Sequence, residues 1–136
     1  MKIFVDTAAW LALNDRSDQL HPHAAEMLAA IRTERISLVT SDYVLDESLT
    51  IIRVRVSHTA AVAFGQSIFG SSIVELLSVG SDDRLAAWEI FRKYVDQKFS
   101  FTDCTSFALM RKLRLKTVFT FDEHFPLMGF DGFRSS

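Results

Sequence analysis

Apolar and polar positions follow two rhythms along this chain, and their order predicts the elements. Ile3, Phe4 and Val5 form an unbroken run of β-branched and aromatic residues, the pattern of a strand covered on both faces, and the run stops at Asp6. Thr7 to Asn14 is compact and apolar, predicting a short helix with Trp10, Leu11 and Leu13 inward. Past the polar loop from Asp15 to Asp18, Pro22 opens a segment with Ala25, Met27, Leu28 and Ile31 at helical spacing, running to about Glu34. Proline suits a first helical turn, where a missing N–H costs nothing. Ile36 to Thr40 reads as a second strand, and Ser41 or Asp42 as the N-cap of a helix to about Val56 whose inward positions are Val44, Leu45, Ser48, Leu49, Ile52 and Val56. His58 to Phe69 predicts a further helix, closed by Gly70.

Ile73 to Val79 predicts a third strand. Ser81-Asp82-Asp83 puts negative charge at the start of the next helix, whose Leu85, Trp88, Phe91 and Val95 are expected to face inward. Thr102 reads as the cap of a helix through Leu109 and Leu113, with Asp103 at its first position. Thr117 to Phe121 predicts a fourth strand, with Asp122 directly after it. From Glu123 to Ser136, Pro126, Gly129 and Gly132 among aromatics predict loop with one short edge strand near Phe130. Strands alternating with helices imply an α/β protein: a three-layer α/β/α sandwich around a mainly parallel central sheet, with residues 1–136 as one domain.

The chemistry follows from position. Asp6 and Asp122 each end a strand, and in a parallel sheet such ends share the edge where ligands bind. Helices that follow strands begin at that edge, so if the helices carrying Glu47, beside the buried face of its helix, and Asp103 start there, all four acids converge. Two carboxylates ~4 Å apart repel by ~4 kcal/mol at an effective dielectric of ~20, so four convergent acids require cations between them. Hard oxygen ligands suit Mg²⁺ or Mn²⁺, and such a centre hydrolyses phosphodiesters. Singly, each acid has an ordinary account: Asp6 and Asp103 as helix starts, Glu47 as a surface acid, Asp122 as a turn residue. Their recurrence along one predicted edge is what favours a site.

Composition narrows the partners. With 15 basic and 17 acidic residues the net charge is -2, which gives no basic footprint for nucleic acid but leaves room for phosphate bound through metal ions. The apolar start is broken by Asp6 and reads neither as a membrane span nor as a secretory signal. The lone Cys104, unable to form an internal disulfide, fits a reducing, cytoplasmic setting and reads as a small buried residue. His21 and His23 lack a third metal ligand, and His124, two residues beyond Asp122, reads as a packing or surface residue, with contact to a scissile phosphate as the alternative. Trp10, Trp88, Phe119, Phe121, Phe125, Phe130 and Phe133 read as core. Arg53 and Arg55, and the run Arg111, Lys112, Arg114 and Lys116, are solvated faces or contacts to an RNA backbone. A dehalogenase-like phosphatase would need a second acid where Ala8 stands, and the scattered glycines form no phosphate-cradling loop.

The ordered set of Val-Asp-Thr at Asp6, the acid within Leu45-Asp46-Glu47-Ser48, Phe-Thr-Asp at Asp103 and Thr-Phe-Asp-Glu-His-Phe at Asp122 resembles the PIN-domain nucleases. It looks most like their VapC toxin branch, the ribonuclease half of bacterial and archaeal toxin-antitoxin pairs, and the likeness covers nearly the whole chain. The resemblance implies an acidic pocket holding Mg²⁺ or Mn²⁺, endonucleolytic cleavage of RNA leaving a 5′-phosphate, a cognate antitoxin and a homodimer. Carried over by position, Asp6 and Asp103 would be direct metal ligands, Glu47 would hold the metal or position a coordinated water, and Asp122 would complete the site. Thr7 and Thr120 would support the acids. Asp46 and Glu123 compete with their neighbours for the two inward places. A non-catalytic PIN-type module that binds RNA or protein is the alternative.

Overall fold

The computed structural model describes residues 1–134. Strand β1 (Lys2–Val5) is the middle of a five-stranded sheet ordered β3-β2-β1-β4-β5, with β2 at Ser37–Ser41, β3 at Val74–Leu77, β4 at Thr117–Phe119 and β5 at Asp131–Gly132. Every pairing is parallel. The helices are α1 (Thr7–Asn14), α2 (His21–Thr33), α3 (Asp42–Arg55), α4 (His58–Phe69), α5 (Ser81–Lys93), α6 (Phe101–Lys112) and the short α7 (His124–Leu127). Ile3, Phe4 and Val5 are fully buried because both faces of β1 are covered, which is why their run carries no polar interruption.

The topology fixes where a site forms. From β1 the chain crosses to β2 on one side, while β4 pairs with β1 on the other, Phe4 standing opposite both Val39 and Val118. Connections therefore leave the carboxyl ends of β1 and β4 in opposite directions, and the crevice between them is the ligand position of open α/β sheets. Below it Phe107 packs on Phe99, Phe125 and Phe130 with ring centroids 5.1, 5.0 and 5.9 Å away. Each such fully buried phenylalanine contributes ~2–3 kcal/mol, and this cluster locks α6 to α7 and β5. From Asp103 to Met110 every residue of α6 is buried.

Several expectations are corrected. Strand β3 spans Val74–Leu77 instead of Ile73 to Val79, and as an edge strand it is only half-buried. Strand β4 stops at Phe119 because the Thr120 hydroxyl oxygen accepts the Asp122 N–H, turning the chain before Phe121, which is half-buried beyond the sheet. The cap of α6 is Ser100, not Thr102: its Oγ accepts the Asp103 N–H while Asp103 Oδ2 accepts the Ser100 N–H, a reciprocal box with Asp103 at the third helical position. The face of α5 is inverted. Asp83, Ala87 and Ile90 are buried, and Leu85, Trp88 and Phe91, with Val95 just beyond the helix, are exposed. Small Ala87 lets α5 lie close on α6, its main packing partner, so the large apolar side chains are left outside. Finally, the expected C-terminal loop includes α7, and the edge strand expected near Phe130 is β5.

Candidate metal centre

Asp6 occupies the N-cap position of α1, yet its side chain makes no capping bond. Its backbone N–H extends the ladder to the Phe119 carbonyl, 3.1 Å away, and its carboxylate Oδ2 instead accepts the Thr120 hydroxyl at 3.0 Å. Helix capping therefore does not account for this acid. Thr120 serves two acids at once, because its Oγ1 also accepts the Asp122 N–H at 2.9 Å. Asp122 then turns the chain into α7, its Oδ1 accepting the His124 N–H at 2.9 Å.

The third acid arrives from the start of α6, which follows α5 and leads into β4. Asp103 Oδ2 lies 3.1 Å from His124 Nδ1, which is also 3.2 Å from Asp122 Oδ1. One ligand atom from each of Asp103, Asp122 and His124 falls within 4.8 Å of the others. His124, read from the sequence as packing or surface, is thus part of the acidic cluster, with its ring set edge-on to Phe99 at 5.0 Å. The one signal was its place two residues after Asp122, beside a carboxylate already under suspicion. Glu47 is half-buried on the second turn of α3, and among the described residues it makes no hydrogen bond to the other three acids. Asp46 is exposed.

The electrostatics are those of a site short of positive charge. Burial first, and then the charges of Asp103 and Asp122, push the Asp6 carboxyl up to about 7 against the opposing Thr7 N–H and Thr120 hydroxyl. Burial likewise raises Asp103, although the Ser100 N–H and His124 pull the other way. Among the described residues no lysine or arginine pairs with Asp6, Asp103 or Asp122. Next to Asp6, the hydroxyl of Thr7 is buried without a hydrogen-bond partner. Clustered carboxylate oxygens, an unpartnered hydroxyl and, among the described residues, no lysine or arginine to balance them form a donor set that fits a small divalent ion.

The centre opens onto a cleft of about 760 Å³ whose walls include Leu11, Arg55, Lys98 and Phe121 as well as Asp122 and His124. Arg55 therefore lines the same cleft. The run from Arg111 to Lys116 does not line it; Lys112 lies nine residues beyond Asp103 on α6, ~14 Å along the axis, where it bonds Asp83 at 3.2 Å. Of the other histidines, His21 Nδ1 bonds the Ala12 carbonyl, and Cys104 is buried with its thiol pushed up to about 11 by burial and by Asp103.

A parallel sheet whose central crevice gathers buried acids is the hallmark of one nuclease class, and the PIN-domain family profile matches residues 3–131. VapC20 of Mycobacterium tuberculosis, described as a 23S rRNA-specific endonuclease, is 37% identical over 128 residues, spanning 94% of this chain and 95% of its own length. Its crystal structure, described as that of a sarcin-ricin loop cleaving toxin, superimposes with a TM-score of 0.88 at 36% identity, over 94% of this chain and 95% of that one. VapBC2 from Rickettsia felis, bound to promoter DNA, shares the fold with a TM-score of 0.69 at 12% identity, covering 98% of each chain. This chain belongs to the PIN-domain family and, within it, to the VapC ribonuclease toxins.

Proposed function

We propose that this protein is a Mg²⁺- or Mn²⁺-dependent endoribonuclease, and that its substrate, like that of VapC20, is 23S ribosomal RNA. The observation that supports the metal requirement is the convergence of Asp6, Asp103 and Asp122 at one crevice where, among the described residues, no lysine or arginine pairs with them and His124 alone stands beside Asp103 and Asp122. A divalent ion held there supplies Lewis acidity toward water and the phosphodiester. Asp6 and Asp103 hold the ion, Asp122 completes its binding, and Glu47 holds it or positions a water. Thr120 ties the Asp6 carboxylate to the backbone N–H of Asp122, and Thr7 supports Asp6 through its backbone N–H. Along the cleft, Arg55 and Lys98 meet phosphates of the RNA, and Leu11 and Phe121 offer apolar surface on which an unstacked base can lie.

As a VapC toxin the protein acts in the cytoplasm, where its RNA is, and is restrained by a cognate antitoxin. It assembles as a homodimer through the outward stripe of α5, whose exposed Leu85, Trp88 and Phe91 form the kind of contiguous apolar patch that marks a protein-binding face. Incubating the purified protein with ribosomal RNA tests the catalytic reading. Cleavage with 5′-phosphate ends is expected in Mn²⁺, abolished by chelation and reduced at least ~100-fold by Asp6→Asn, the scale of losing one preorganised charge. RNA left bound but intact in Mn²⁺ would instead mark a non-catalytic binding module.

A further inference from the structure

We propose that His124 Nδ1 is itself a ligand of the bound ion, so that the centre takes imidazole nitrogen alongside carboxylate oxygen and prefers Mn²⁺ to Mg²⁺. This rests on the reading that a divalent ion binds between the acids. The nitrogen stands 3.1 Å from Asp103 Oδ2 and 3.2 Å from Asp122 Oδ1. Adjacent ligands of an octahedral ion with bonds of ~2.1 Å are ~3 Å apart, so these separations correspond to two edges of one octahedron. Without an ion, Nδ1 hydrogen-bonds Asp103 Oδ2 alone and stands beside Asp122 Oδ1 without bonding it, whereas an ion among the three meets all of them.

The ring is also held for such a role. Phe99 meets it edge-on at 5.0 Å, its own backbone N–H is fixed on Asp122 Oδ1, and α7 is anchored behind it by the fully buried Phe125. Asp103 is equally fixed, since Ser100 binds one of its oxygens. Nitrogen is a softer donor than carboxylate. Mg²⁺ favours oxygen and keeps its waters, while first-row transition ions accept imidazole, so this nitrogen favours Mn²⁺ selectively.

Electron spin-echo spectroscopy of Mn²⁺ bound to the wild-type protein tests this without any variant, because a directly bound nitrogen modulates the echo. The expected result is a ¹⁴N modulation that disappears in His124→Asn, whose amide still donates hydrogen bonds from the same region. Calorimetric titration of both ions should show the Mn²⁺ over Mg²⁺ preference falling about ten-fold in His124→Asn through weaker Mn²⁺ binding, with Mg²⁺ affinity nearly unchanged. Mn²⁺ binding that is lost in Asp6→Asn but shows no nitrogen modulation and no altered preference in His124→Asn would overturn the ligand role and leave the metal centre standing. Absence of any Mn²⁺ binding would overturn both.

Discussion

Asp103 does two jobs, and the two can be separated by substitution. As the third residue of α6 it accepts the Ser100 N–H, and as one of three clustered acids it carries a charge that burial disfavours. Asparagine keeps an oxygen for Ser100 while removing the charge, so Asp103→Asn should leave metal-free stability unchanged or slightly raised in urea unfolding. Asp103→Ala removes the box and should cost about 1 kcal/mol. An asparagine variant as unstable as the alanine one would mean that the charge itself supports the fold. At this scale the sequence was readable where a side chain's role follows from its own segment. Asp6 ends an apolar strand, and that alone located it. His124 read mainly as a packing or surface residue because its contacts, Phe99 and Asp103, lie more than twenty positions away. The cap of α6 was placed two residues late because Ser100 and Thr102 are both good caps, and the hydroxyl bonds that Thr105 and Ser106 make to the Thr102 carbonyl do not show in the sequence.

At the scale of elements, α5 shows what amphipathic patterning leaves open. The spacing of Leu85, Trp88 and Phe91 correctly puts them on one face, but spacing does not say which face a neighbour covers. Close approach to α6 selects the side with Ala87 and Ile90, and Asp83 sits there because the Gly80 N–H and Lys112 hold its carboxyl below the usual range. Trp88 and Phe91 stack on each other at 6.1 Å, and Phe91 meets Phe101 of α6 at 6.0 Å, without becoming buried. If a second copy covers this stripe, Trp88→Glu should convert a dimer into a folded monomer in sedimentation experiments at micromolar concentration, with α5 intact by circular dichroism. A wild-type protein that sediments as a monomer at the same concentration would remove α5 as the dimer face. The strands were easier to read than their ends. The central β1 and β2 were found almost to the residue, while β3 and β4 were drawn too long because apolar residues continue past the last ladder bond.

For the whole molecule, one all-parallel sheet brings acids separated by more than a hundred positions to the junction of β1 and β4, and the cost is electrostatic. Burial and the neighbouring acids push the Asp6 carboxyl up to about 7 in the folded protein, against an ordinary value of 3.8. The folded state then binds more protons than the unfolded one, so metal-free stability falls as pH rises between these values. The loss from this one group is absent below the lower value and complete above about 7, where it amounts to roughly 4 kcal/mol. A cation that binds only the folded state reverses the loss by mass action. The measurement that tests this most directly is the unfolding midpoint of wild type and Asp6→Asn, from pH about 5 to about 8, with and without Mn²⁺. The wild type should lose stability with rising pH only when metal-free and regain it in Mn²⁺, most strongly at the alkaline end, while Asp6→Asn should lack the Mn²⁺ response and keep only the weaker pH response that burial of Asp103 gives. A wild-type midpoint that ignores Mn²⁺ at pH about 8, or an asparagine variant that responds as the wild type does, would contradict a cation held by these acids.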